Sequence, residues 1–179
     1  MEKEPFINLV KHRTSCRSYE AKPVPREHLE LMLEAARLAP SACNKQPWRF
    51  AVVQDAGTRM RLVKESLRVG IEMKWAANAG AIIAIGVRSK GLVHKVGTRI
   101  TGVEYPQIDL GIAGEHLVLQ AEELGLGTCW IGWIKQKAVR RIVGWSKDVA
   151  PMGLITVGWP AGERKTRPRL PLDEIVKWI

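Results

Sequence analysis

The chain predicts a mixed domain of helices and strands, α+β or α/β, and three observations carry that expectation. Helix-periodic segments come first, and strand-like segments then alternate with helices. The 179 residues suffice for one substantial core, so a single domain over residues 1–179 is expected. Neither a Gly-x-Gly-x-x-Gly stretch after the first strand nor a Walker sequence occurs, which disfavours a Rossmann dinucleotide domain and a nucleotide triphosphatase.

A first helix is expected over residues 5–11, followed by the turn Arg13-Thr14-Ser15-Cys16-Arg17-Ser18-Tyr19. Pro25 suits the first turn of a second helix, where a missing N–H costs nothing. Leu29, Met32, Leu33 and Ala36 then recur at helical spacing, with Glu30, Glu34 and Arg37 on other faces, and Pro40 ends the run. Beyond the loop from Pro40 to Pro47, residues 49–54 read as a strand, 58–70 as a helix and 81–87 as a second strand. Residues 88–107 lack periodicity, contain several glycines and read as a mobile loop. The strongest helix is 108–124, where Ile108, Leu110, Ile112, Ala113, Leu117, Val118, Leu119, Ala121 and Leu124 cover most of the circumference. A helix apolar all round must be covered on every side, and in so small a chain that predicts a subunit interface. Gly125-Leu126-Gly127 reads as the cap that ends it. Residues 128–134 then predict a strand, 137–143 a short helix and 153–159 the last core strand, before a basic, proline-punctuated tail.

The formal charge of +10 describes a surface that attracts anions: nucleic acid, a membrane face or a phosphorylated cofactor. The densest clusters (Lys135, Lys137, Arg140, Arg141, then Arg164, Lys165, Arg167, Arg169) are short and not interleaved with aromatics, so nucleic acid is not expected. No apolar run reaches the ~20 residues of a membrane-spanning helix. The charged N-terminus carries no signal-peptide apolar region, which predicts a cytoplasmic protein. Cys16, Cys43 and Cys129 are odd in number, widely spaced and without a Cys-x-x-Cys pair, so neither a zinc site nor a disulfide framework is expected. They read as three reduced thiols in packed positions. Trp48, Trp130, Trp133, Trp145 and Trp159 fall in or beside strands, where core packing is the plain account. The four histidines are scattered, and only His94, in the 88–107 loop, invites a test.

Two segments can carry chemistry. Arg13, Thr14, Ser15 and Arg17 place two guanidinium groups and two hydroxyls in one turn, and in an extended segment residues 13, 15 and 17 point the same way. Bidentate guanidinium forks with neutral donors beside them suit a dianionic phosphate, although a solvated basic turn would carry the same residues. Pro40-Ser41-Ala42-Cys43-Asn44-Lys45-Gln46-Pro47-Trp48 stiffens a loop between two prolines and gives it polar groups able to read the edge of a flat heterocycle. A plain helix-to-strand connection is the alternative.

These segments, with two more, resemble the FMN-dependent nitroreductase family. The Arg-x-Ser-x-Arg turn is similar to the family's phosphate-binding start, and Pro-Ser-Ala-Cys-Asn-Lys-Gln-Pro-Trp to its Pro-Ser-Ser-x-Asn-x-Gln-Pro-Trp loop. Gly-Leu-Gly-Thr-Cys-Trp-Ile-Gly resembles its strand beside the flavin, and Arg167-Pro168-Arg169-Leu170-Pro171 its basic C-terminal motif. The four matches follow the family order across about residues 8–176. The resemblance implies an α+β fold, three-layer α/β/α with a mostly antiparallel central sheet, in an intertwined homodimer with two FMN sites. It implies Arg13, Thr14, Ser15, Arg17 and Arg169 at the phosphate, and Arg167 near the ribityl chain or pyrimidine edge. Pro40, Ser41, Ala42, Asn44 and Gln46 would come from the partner chain, with Trp130 and Ile131 lining the ring and a backbone N–H near Gly132 facing flavin N5. The implied activity takes hydride from NADH or NADPH and passes it to nitroaromatics, quinones or similar small acceptors by a ping-pong mechanism. No side chain is assigned a catalytic acid–base role.

The sequence departs from the pattern at three places. Ala42 replaces the usual second serine, Cys43 takes no assigned redox role, and residues 88–107 are short for the family's excursion over the flavin. Two other readings belong to different classes. One is another flavin chemistry on the same scaffold, such as reductive dehalogenation or flavin oxidation. The other is a non-enzymatic basic domain that holds flavin or nucleic acid.

Overall fold

A computed structural model of the chain describes residues 5–67, 73–88, 102–163 and 166–179. Helix α1 (Pro5–His12) and helix α2 (Arg26–Arg37) precede strand β1 (Trp48–Val53). Helix α3 (Ala56–Arg61) continues into a widened turn, Leu62–Ser66, and a short 3-10 helix, Lys74–Asn78, leads into β2 (Ala81–Arg88). Then come α4 (Tyr105–Glu123), β3 (Gly127–Ile131), α5 (Gln136–Ile142), β4 (Val149–Gly158) and a four-residue helix α6 (Leu172–Ile175).

The four strands form one sheet in the order β1-β2-β4-β3, antiparallel at every pairing. Alternation along β2 divides its side chains between two cores. Ala81, Ile83, Ile85 and Val87 face α2 and α4 through Leu29, Met32, Ala36, Leu110, Ala113 and Leu117. Ile82 and Ala84 face the other way, into a layer with Leu62, Ala76 and Val139. The result is a three-layer α/β/α arrangement, the expected one. An irregularity between Ile85 and Gly86 shifts the β2–β4 register, and Gly86 lies so close to the Ala150 carbonyl that a Cβ would sit 2.7 Å from it.

Local chemistry sets two of the helix ends. Asp55 caps α3 by accepting from the Thr58 N–H at 2.7 Å. Gly125 ends α4 at φ 75°, with Leu126 N donating to Ala121 O at 2.8 Å and Gly125 N to Glu122 O at 3.0 Å, the paired bonds that satisfy a helix end.

Several expectations change. Helix α4 starts at Tyr105, three residues earlier than periodicity predicts, because Pro106 is tolerated in its first turn. Within one chain it buries a single face (Asp109, Leu110, Ala113, Gly114, Leu117, Val118 and Ala121) while Ile108, Gly111, Glu115 and Glu123 stay exposed. The predicted helix 58–70 instead begins at Ala56 and leaves α-geometry after Arg61. Strand β3 stops at Ile131, since the chain turns back on itself through Ile134 N donating to Gly132 O at 2.9 Å. Trp133 sits on that turn and is 64% exposed, so it is no core residue, and Trp130 is 40% exposed. Of the three free thiols only Cys129 is buried, and Cys43 is exposed. His94, Arg164, Lys165 and most of the 88–107 loop lie outside the described residues.

Candidate active site

The segment after α1 runs along the free edge of β3. Ser15 pairs in parallel with Thr128, and Cys16 N donates to Thr128 O at 2.8 Å. Tyr19 then pairs with Pro160, just past β4, and Ala161 N donates to Ser18 O at 3.0 Å. Between these two ladders opens a cleft of about 430 Å³ lined by Thr14, Ser15, Arg17, Gly162, Arg167 and Arg169, among others. Arginines from opposite ends of the chain therefore line one concavity together with Thr14 and Ser15. Its acidic member is Glu163.

Arg13 stands apart from this group. Its N–H still donates to Leu9 O at 3.0 Å, so the helical path of α1 reaches residue 13 and the alternation of an extended segment begins only afterwards. Its guanidinium lies 4.0 Å from Glu115 on α4. The Arg17 guanidinium sits 6.0 Å from the Trp75 ring centroid. Behind the cleft, burial pushes the Cys129 thiol above its ordinary range, although Arg17 and a hydrogen bond with Ser15 act the other way. A thiol kept protonated is a poor nucleophile, so Cys129 reads as packing.

The second segment lies on the opposite edge of the sheet. Ser41 is extended, and Cys43, Asn44 and Gln46 hold positive φ of 50°, 53° and 47°. Left-handed backbone costs on the order of 1–2 kcal/mol at a non-glycine residue, so something must hold it. Gln46 N donates to Ser41 Oγ at 3.0 Å, Gln46 Nε2 to Asn44 Oδ1 at 2.9 Å, and Asn44 N to Ser41 O at 2.9 Å. From outside the loop, Asp109 Oδ1 on α4 accepts from Ala42 N at 3.0 Å. Asp109 is a site residue that sequence reading passed over. The available signal was a carboxylate set between Ile108 and Leu110 near the start of the helix, since such a group is buried only to serve a partner.

The structure thus gathers Thr14, Ser15, Arg17, Arg167 and Arg169 in one place, and Ser41, Ala42, Asn44 and Gln46 in another. Pro40 is exposed at the start of the second loop. Three inter-strand steps of ~4.8 Å separate the edge strands β1 and β3, roughly 14 Å, and the two groups also lie at opposite ends of the sheet. The third group sits on β3. Trp130 turns toward α4 and lies over Gly114, and Gly132 is exposed just past the strand. The Ile131 side chain is buried in the core layer facing α5, so this residue offers a ligand its backbone alone.

The three-layer antiparallel fold thus carries a cationic cleft at one sheet edge and a polar, conformationally fixed loop at the other. The chain belongs to the nitroreductase family, whose model matches residues 10–75 and 60–159. It is 31% identical to an NADH dehydrogenase of Thermus thermophilus over 188 residues, covering 93% of this chain and 92% of the relative. It is also 31% identical to an FMN reductase [NAD(P)H] of Bacillus subtilis over 184 residues, covering 96% and 72%. An FMN-dependent nitroreductase structure from Clostridium difficile superposes with a TM-score of 0.75 at 28% identity, covering 90% of this chain and 91% of that one. Among the described residues no helix is long and apolar enough to cross a membrane, and no His/Cys/Asp/Glu group could hold a metal ion.

Proposed function

We propose that this protein is an FMN-dependent NAD(P)H oxidoreductase that reduces small acceptors such as quinones and nitroaromatics. The observation that carries the reading is the convergence of Arg17, Arg167 and Arg169 with Thr14 and Ser15 in one cleft. Such a set fits a phosphate monoester, since the cations neutralise its charge and the hydroxyls fill its remaining lone pairs. FMN, when bound, supplies the two-electron relay between a nicotinamide donor and the acceptor.

The protein's own residues bind and orient. Arg17 and Arg169 hold the phosphate, while Arg167 lies nearer the sugar chain or the pyrimidine edge. Trp130 and the backbone at Ile131 and Gly132 border the ring. Ser41, Ala42, Asn44 and Gln46 read its polar edge from a second copy of the chain, because their own chain holds them on the far edge of the sheet. The covering surface for that copy is the exposed apolar set of Phe6, Ile7 and Val10 on α1, Ile108 on α4, and Leu170, Leu172, Ile175 and Trp178 in the tail. The working unit is a homodimer of single-domain chains. Its free thiols suit a reducing compartment such as the cytoplasm.

Anaerobic mixing of FMN-loaded protein with NADH or NADPH tests the reading. The flavin's visible band bleaches, then returns when a quinone or nitroaromatic is added, and steady-state double-reciprocal lines are parallel. A bound flavin that neither nicotinamide reduces would overturn it.

A further inference from the structure

We infer that Asp109 is a positioning residue for the flavin: it fixes the Ser41–Gln46 loop in its binding shape through the Ala42 N–H. The inference rests on the reading that this loop holds the isoalloxazine ring, and it assigns Asp109 a role beyond that reading.

Asp109 is 3% exposed on α4, the buried carboxyl of that helix. Its Oδ1 accepts from Ala42 N at 3.0 Å, and its Oδ2 is buried without a hydrogen-bond partner. A buried carboxyl with one oxygen unsatisfied is unfavourable in a helix that apolar residues would otherwise fill, so folding alone gives no reason for it. What it does is local and specific. Ala42 opens the short helical turn Ala42–Asn44, and the left-handed residues Cys43, Asn44 and Gln46 follow directly. The other hydrogen bonds found in this turn join the loop to itself or to the start of β1. The Asp109 bond ties it to α4 instead. That helix packs on α2 and the sheet, and its Gly114 carries Trp130. In each chain one rigid helix therefore sets both the polar loop offered to the other copy's ring and the aromatic side chain that borders its own.

The test is FMN titration, by quenching of flavin fluorescence, of the parent protein and of Asp109→Ala, Asp109→Asn and Ala42→Pro. Ala42→Pro removes the donor and leaves the helix untouched, and Ser41 already has the extended φ −147°, ψ 154° that a following proline requires. Asp109→Ala and Ala42→Pro should each weaken FMN about tenfold or more, and the double variant should be no weaker than the worse single one, as for two ends of one bond. Asp109→Asn keeps an acceptor and should stay within about threefold of the parent. Riboflavin affinity should fall by the same factor as FMN affinity, because the phosphate is not what the loop contacts. If Asp109→Ala fails to fold, Ala42→Pro and Asp109→Asn still decide the matter. Parent-like affinity in Ala42→Pro, additive losses in the double variant, or an Asn variant as weak as the Ala variant would each overturn the inference. A parent protein that binds no FMN would overturn the proposed function instead.

Discussion

Trp130 lies so close over Gly114 that a Cβ on the helix would fall 2.2 Å from its Cη2 atom. Glycine is present there because the indole occupies the space a side chain would need. Gly114→Ala should leave the fold intact, since alanine favours a helix by about 1 kcal/mol over glycine, yet it must move the ring. We expect a changed tryptophan emission and weaker FMN binding at little cost in Tm. Unchanged emission together with unchanged affinity would mean that Trp130 does not depend on this contact.

The phosphate assignment is tested by charge removal. Arg17→Ala or Arg169→Ala should cost roughly 1.5–3 kcal/mol of FMN binding, or about tenfold to a hundredfold. Riboflavin, which lacks the phosphate, should bind both variants as it binds the parent. Equal losses for the two ligands would place these arginines away from the phosphate.

Assembly follows from exposed apolar surface. Phe6 is 64% and Trp178 87% exposed in the single chain, and α1 buries none of its residues. An interface above ~2,000 Å² in total is expected, and sedimentation should give twice the 20.0 kDa chain mass. Phe6→Glu combined with Ile7→Glu should push the protein toward monomer and lower its flavin content together. A monomer that retains full flavin content would contradict a two-chain site.

Tyr19 predicts alkaline sensitivity. Its hydroxyl hydrogen-bonds Thr156 Oγ1 at 2.7 Å and donates to Cys16 O at 2.8 Å, beside the cleft that Cys16, Arg17 and Arg169 line. Burial raises its pKa well above the ordinary 10.0, outweighing the opposing Thr156 bond. The unfolded chain therefore loses this proton first. The stability it contributes is complete below pH 10.0 and is lost as pH rises toward the folded value. Tyr19→Phe should be less stable at neutral pH by about 1–2 kcal/mol, yet its Tm should fall less steeply above pH 10.0. Parallel Tm curves for the two proteins would show that Tyr19 does not titrate with unfolding.

What the sequence determined by itself is what local chemistry controls. The Leu29–Met32–Leu33–Ala36 spacing marks α2, the apolar run marks β2, Gly125 marks the end of α4, and the Arg17, Ser41–Gln46 and Arg167–Arg169 motifs mark both halves of the proposed site. Each depends on period, capping or residue type within a few positions. The tertiary structure alone decided which of these pieces meet. The Ser15–Thr128 pairing brings Arg17 beside the tail arginines, and the strand order β1-β2-β4-β3 sends the Ser41 loop to the far edge. Register along β3 turns Ile131 into the layer beside α5 and Trp130 onto α4, a distinction that a shift of one residue would reverse. Asp109 belongs to the same group. A carboxyl between Ile108 and Leu110 signals a partner, but only the packing of α4 against the loop shows that the partner is the N–H of Ala42.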